Sequence, residues 1–292
     1  MLLGIGSPVV TRHPATAAQW EADAGIAELS VIAETADRLG LHHMTCSEHV
    51  AVPAGVAAER GGTYWDPLAT FGFLAARTSR LRLVTQVLVL GFHHPLEIAK
   101  RYGTLDTVSG GRLVLGLGVG SLREEFDLLG EPFSGRGARA DEAIVALRAA
   151  MGTTSPAHSG EHYAFADVVV DPTTAQAQVP LWIGGRSARS LRRAVELGDG
   201  WVPFGLPLRE LTEMLAAVEL PEDFSVVLSP GRPLDPLGDR DRAVRALERV
   251  RQAGATITAP YIAARSAAHY IDQLVALREI GVEVGAAPAE QR

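Results

Sequence analysis

The chain reads as a (β/α)8 TIM barrel, an α/β fold, with an insertion before the fifth strand. Three observations carry that expectation. Apolar strand-like runs and helical patterns alternate eight times along the sequence, an order that forces parallel pairing. The runs at 81–90 and 113–120 are apolar almost without a break, as strands buried on both faces are. The length of 292 residues suits one such barrel, which takes roughly 250 residues. Residues 1–292 are therefore read as a single domain, with the insertion at about 153–180.

Each element has its own signal. Leu2 to Ile5 is a short apolar strand. Ile26, Leu29, Ala33, Ala36 and Leu39 keep helical spacing, and Gly40 ends that helix. His43 to Ser47 is the second strand, with Glu48 and His49 at its end. Val50 to Tyr64 has Pro, Gly and no period, and reads as a loop. Asp66 caps the next helix with Pro67 in its first turn. Arg80 to Leu90, Pro95 to Gly111 and Arg112 to Gly120 form a strand–helix–strand unit. Ser121 to Pro132 reads as a polar loop, and Arg139 to Met151 as a helix. Thr153 to Pro180 breaks the rhythm, with His162 to Asp171 extended; so long a connection implies a functional role. Leu181 to Ile183 is the fifth strand, followed by Gly184-Gly185 and a helix capped by Ser187. Strands at Gly200 to Pro203, Phe224 to Leu228 and Ala255 to Pro260 alternate with helices at Leu208 to Val218, Arg240 to Ala253 and Ala267 to Ile280. Gly285 to Arg292 reads as a frayed tail. An open doubly wound sheet would place a Gly-x-Gly-x-x-Gly turn after its first strand. Here Gly116, Gly118 and Gly120 lie two apart in the fourth strand, on one face, where they leave room for a bulky neighbour.

Composition narrows the function. A net charge of −7 argues against a nucleic-acid partner, which needs a basic face. No apolar run is long enough for a membrane span. The first ten residues lack a signal peptide's basic lead and cleavage site, and the single cysteine, Cys46, allows no internal disulfide. The expectation is a cytoplasmic protein. Lys100 is the only lysine, an arginine bias typical of a GC-rich genome.

A parallel barrel carries its active site at the C-terminal strand ends. His49 falls there as a candidate acid, base or hydrogen-bond donor, though a loop histidine held by a neighbouring carboxylate fits equally. Thr85 and Gln86 interrupt an apolar strand; they meet either a ligand at the mouth or a neighbouring backbone group. Gly184-Gly185-Arg186-Ser187 opens a helix directly after a strand, the make-up of an anion site, with Arg189 and Arg193 adding charge; an ordinary capped turn is the plainer reading. His93-His94 reads as a helix lead-in, with no Cys or carboxylate cluster to suggest a metal. Glu124-Glu125 is either an acid pair or a solvated face, and Glu124 is read as the latter. Trp65 and Phe92 line a pocket or pack locally.

Together, Ser47-Glu48-His49, Val84 to Leu90 with His94-Pro95, Ser109-Gly110-Gly111-Arg112, Leu115 to Gly120, Arg123-Glu124-Glu125-Phe126, Phe133 with Arg136-Gly137 and Asp141-Glu142, and Trp182 to Ser187 through Trp201 resemble the bacterial luciferase-like monooxygenase superfamily. The nearest branch is its F420-dependent oxidoreductases. The resemblance implies a homodimeric barrel with a flavin or deazaflavin in its mouth. Glu48 and His49 match the family's acid–His pair, which contacts the deazaflavin or its substrate. Gln86-Val87 stands where the family has a non-prolyl cis peptide in a bulge behind the ring. Gly184, Gly185 and Ser187 match the phosphate site, with Arg186 among them. Thr85, Val87 and Gly120 join this cofactor-binding set. The chain departs from the pattern at Ser121, where many relatives have Trp, and at Arg123, where some have a catalytic Glu, which counts against a sugar-phosphate dehydrogenase. The implied activity is hydride transfer between coenzyme F420 and a small organic substrate, the arginine bias favouring the deazaflavin branch. An FMN-dependent monooxygenase is the alternative, and a non-catalytic cofactor-binding barrel the second.

Overall fold

Eight parallel positions close into a ring in the computed structural model, which describes residues 1–286. In chain order the elements are β1 (Leu2–Leu3), α1 (Ile26–Arg38), β2 (His43–Cys46), α2 (Ala54–Arg60), α3 (Pro67–Ala75), β3 (Arg82–Thr85), β4 (Leu88–Val89), α4 (Pro95–Ser109), β5 (Leu113–Gly118), α5 (Arg123–Leu129) and α6 (Arg136–Ala150). After them come β6 (His158–Ser159), β7 (Ala164–Phe165), β8 (Leu181–Gly185), α7 (Ala188–Leu197), β9 (Gly200–Pro203), α8 (Leu208–Ala216), β10 (Ser225–Leu228), α9 (Arg240–Gln252), β11 (Ile257–Thr258) and α10 (Ala267–Glu283). The strand order is β1-β11-β10-β9-β8-β5-β3-β2, and a parallel bridge from Ile5 to Met44 joins the two ends. Ile5 N–H donates to His43 O at 2.9 Å across that seam. The expected barrel is thus present. The tail expected from Gly285 onward lies, past residue 286, outside the described residues.

Alternation along the strands builds two apolar layers. Val84, Val114, Trp182, Val202, Val227 and Ile257 pack inside the ring. Ile5, Met44, Leu83, Leu115, Leu117, Ile183, Trp201 and Leu228 pack outward against the helices. Asp66 caps α3 by accepting from Ala69 N–H at 2.7 Å, and Gly110 ends α4 in the left-handed region, as their residue types require. Among the described residues no helix is long and apolar enough to cross a membrane.

Three expectations need correction. The loop from Val50 to Tyr64 contains α2, and the polar loop from Ser121 to Pro132 contains α5. Both helices stop at a glycine, Gly61 and Gly130, and α5 keeps Leu122, Phe126 and Leu129 at helical spacing. The third strand, read as continuous to Leu90, is broken. Val84 pairs with Val114 and Leu88 with Leu117, so Thr85, Gln86 and Val87 face only two residues of β5. That extra residue is a bulge, which lets a strand re-aim a side chain at the barrel rim. The insertion before β8 is a β6–β7 hairpin. It hangs on Glu142, which accepts from the amides of Glu161, His162 and Tyr163. Farther along, Asp106 receives both the backbone and the side-chain N–H of Gln176.

Candidate active site

The C-terminal ends of the barrel strands bring Ser47, His49, Gln86, Val87 and Gly185 to one rim, each only partly buried, above a fully buried inner layer. The bulge supplies the centre of that rim. Its Gln86–Val87 peptide is cis. Gln86 N–H donates to Cys46 O at 2.8 Å, which ties the bulge to β2. The Gln86 side-chain amide has no hydrogen-bond partner among the described residues. Val87 rests on two glycines: a Cβ on Gly118 would stand 2.5 Å from Val87 Cγ2, and one on Gly184 would stand 2.8 Å from Val87 Cγ1. Gly116 makes room in turn for Thr85, whose carbonyl oxygen would lie 1.9 Å from an added Cβ. The bulky neighbour foreseen beside these glycines is therefore the bulge itself.

Other residues assigned to the cofactor have different neighbours. Thr85 is buried and donates its hydroxyl to Gly116 O at 2.8 Å, so it bonds backbone. Gly120 faces Phe126, whose ring an added Cβ would meet at 2.5 Å. Glu48 is buried on the side of β2 away from the ring interior. Its Oε2 accepts from Val89 N–H and its Oε1 pairs with His93 Nε2, both at 2.7 Å. Any contact between Glu48 and a ring must compete with those two bonds. Burial alone would hold His93 low, but its bond to Glu48 and the nearby Glu97 lift it above its ordinary value. His94 caps α4, accepting from Leu96 N–H. Phe92 packs on Phe126 rather than on a pocket.

His49 has the partner that sequence reasoning passed over. Its Nδ1 lies 2.6 Å from Glu125 Oε2, and Glu125 Oε1 accepts from Val50 N–H at 2.7 Å and Ala51 N–H at 3.1 Å. Glu125 is 0% exposed. Burial would raise its carboxyl, but the bonds from His49 and from the Ala51 and Val50 amides hold it below the ordinary carboxylate value. The Tyr64 ring packs edge-on against His49 at 4.4 Å. Nε2 of His49 is left without a partner among the described residues. An acid two residues past Arg123 is thus bonded to His49. Its signal was the helical spacing of α5, which puts Glu125 and Phe126 on the covered side.

At β8 the structure brings Gly184, Gly185, Arg186 and Ser187 together at the start of α7. Ser187 Oγ accepts from Ser190 N–H at 3.2 Å, and Ser190 Oγ accepts from Ser187 N–H at 3.1 Å. A Cβ on Gly185, whose φ is +146°, would lie 2.4 Å from Ser190 Cβ. Ala188 and Arg189 open the first turn of α7, where amides have no acceptor within the helix, a fitting place for an anion. Arg186 is exposed beside the Phe204 ring. Arg193, expected to add charge here, is turned away: it is bonded to Asp141 and to Gly137 O.

Comparison with known proteins places the family and the fold. The family model described as luciferase-like monooxygenase matches residues 5–279. An uncharacterized protein of Mycobacterium tuberculosis is 30% identical over 200 residues, covering 64% of this chain and 69% of that protein. The monooxygenase RslO1 from Streptomyces bottropensis superposes with a TM-score of 0.79 at 24% identity, covering 98% of this chain and 100% of that one. An F420-dependent secondary alcohol dehydrogenase, in complex with an F420–acetone adduct, superposes with a TM-score of 0.75 at 14% identity, covering 97% and 98%. At these identities the two structures establish the shared fold.

Proposed function

The chain belongs to the luciferase-like monooxygenase family, and from that premise we propose that it is an oxidoreductase moving a hydride between coenzyme F420 and a small organic substrate. The observation that carries the reading is the rim itself. Val87, partly exposed at its centre on the side-chain-free Gly118 and Gly184, offers a flat apolar seat, and the adjacent Gln86 amide is free to bond a heterocycle's edge. Gly184, Gly185 and Ser187, with the first turn of α7 and Arg186, would hold the phosphate. When bound, the deazaflavin supplies a carbon that accepts or gives a hydride. The protein's own share is to hold ring and substrate in register and to manage a proton. His49 Nε2 would take that proton from the substrate or return it, with Glu125 bonded behind the ring. The working unit is proposed to be a homodimer in the cytoplasm.

A second reading, an FMN-dependent monooxygenase, draws support from the family's own description and from RslO1. The two differ in the ring they bind, so one titration separates them. Oxidised F420 and FMN are added separately to purified protein and followed by fluorescence quenching. Quenching of F420 is expected; tight FMN binding with none for F420 moves the assignment to the monooxygenase. His49→Ala is expected to leave cofactor affinity within a few fold and to cut turnover by roughly 100-fold, the usual scale of general acid–base catalysis. Undiminished turnover removes His49 from the reaction.

A further inference from the structure

Glu125 is a fully buried carboxylate on α5. Helix α5 is anchored by the next residue, Phe126. Its ring fills a slot left by Gly91 and Gly120, either of which would bring an added Cβ to 2.5 Å. Phe126 also packs on Phe92 and Phe133, with ring centres at 4.9 and 5.4 Å. A carboxylate taken out of water is costly unless every oxygen is bonded, and Glu125 meets that condition only through what surrounds His49. Two of its three donors are the amides of Val50 and Ala51, the residues that follow His49 in the chain. The third is His49 Nδ1 at 2.6 Å.

The donors settle where hydrogen must sit. An ionised carboxylate only accepts. Nδ1 of His49 therefore carries the hydrogen in that contact, and a neutral imidazole has just one. Nε2 then keeps a lone pair. Tyr64 packs edge-on against the same ring, with ring centres 4.4 Å apart. We infer that Glu125 is a positioning residue that locks His49 in its Nδ1–H form, so that Nε2 is the nitrogen that accepts a proton at the barrel rim. The role of that proton rests on the proposed oxidoreductase; the tautomer itself does not.

The test uses the whole protein with selectively 15N-labelled histidine in alkaline buffer, where histidine rings are neutral. Long-range proton–nitrogen correlations report which ring nitrogen bears hydrogen. His49→Asn identifies the His49 signal among the nine histidines. Wild type is expected to show hydrogen on Nδ1. In Glu125→Gln the amide oxygen can keep the Val50 and Ala51 bonds, which turns its NH2 toward Nδ1. That nitrogen must then accept, and the hydrogen is expected to move to Nε2. The wild-type spectrum decides even if the variant folds poorly. An Nε2–H form in wild type overturns the inference, and so does a folded Glu125→Gln protein whose His49 keeps its hydrogen on Nδ1. No cofactor or substrate enters the measurement, so failure of the F420 reading would leave its outcome untouched.

Discussion

Replacing His42 by glutamine should remove part of the protein's sensitivity to acid. His42 and His43 are both buried at the start of β2, their Nδ1 atoms 2.9 Å apart, with Trp182 stacked on His42 and edge-on to His43. Burial, and then the charge of Arg82, push His42 down to about 4. The folded protein therefore holds a neutral ring, while the unfolded chain binds a proton near the ordinary value of 6.5. Above that value both states are neutral and no stability is lost. As pH falls toward 4 the unfolded state gains the proton first, so stability drops across that window and then levels. At about 1.36 kcal/mol per unit the full loss is about 3 kcal/mol, and about 2 kcal/mol by pH 5. Urea unfolding of wild type and His42→Gln at about pH 7.5 and about pH 5 reads this share together with its coupling to His43, which remains in both and is held low by burial and then by the His42 charge. Wild type should lose about 2 kcal/mol more than the variant between the two conditions. Equal losses would refute the claim that a buried neutral His42 sets the acid response.

Three further outcomes follow from the same packing. Cys46 is buried, and burial lifts its thiol to about 12, so a thiol reagent should leave the native protein unlabelled near neutral pH and react on unfolding. Rapid native labelling would contradict that burial. Phe126→Ala should cost about 3–5 kcal/mol in chemical unfolding, the usual range for an emptied aromatic site; a loss under about 1 kcal/mol would mean the Gly91–Gly120 slot closes without it. Gly118→Ala should push Val87 off its seat, since the added Cβ would meet Val87 Cγ2 at 2.5 Å. Cofactor affinity by fluorescence should fall roughly tenfold, about 1.4 kcal/mol, and an unchanged Kd would show that Val87 does not carry the ring.

Sequence alone determined the barrel, because each of its signals is local. Unbroken apolar runs mark strands covered on both faces, and glycines, prolines and capping residues such as Asp66, Ser187 and Gly110 mark where helices begin and end. His49 and the Gly184–Ser187 turn were legible for the same reason, since a parallel barrel fixes which strand ends form the rim. What only the tertiary structure decided was how side chains share partners across distant segments. Glu125 meets His49 from 76 residues away, Glu48 turns to His93 and Val89, and Arg193 is drawn to Asp141. Gly120, likewise, serves an aromatic ring of α5. A buried charge must find its counterpart wherever the fold brings one within about 3 Å, and no periodicity along the chain records that distance.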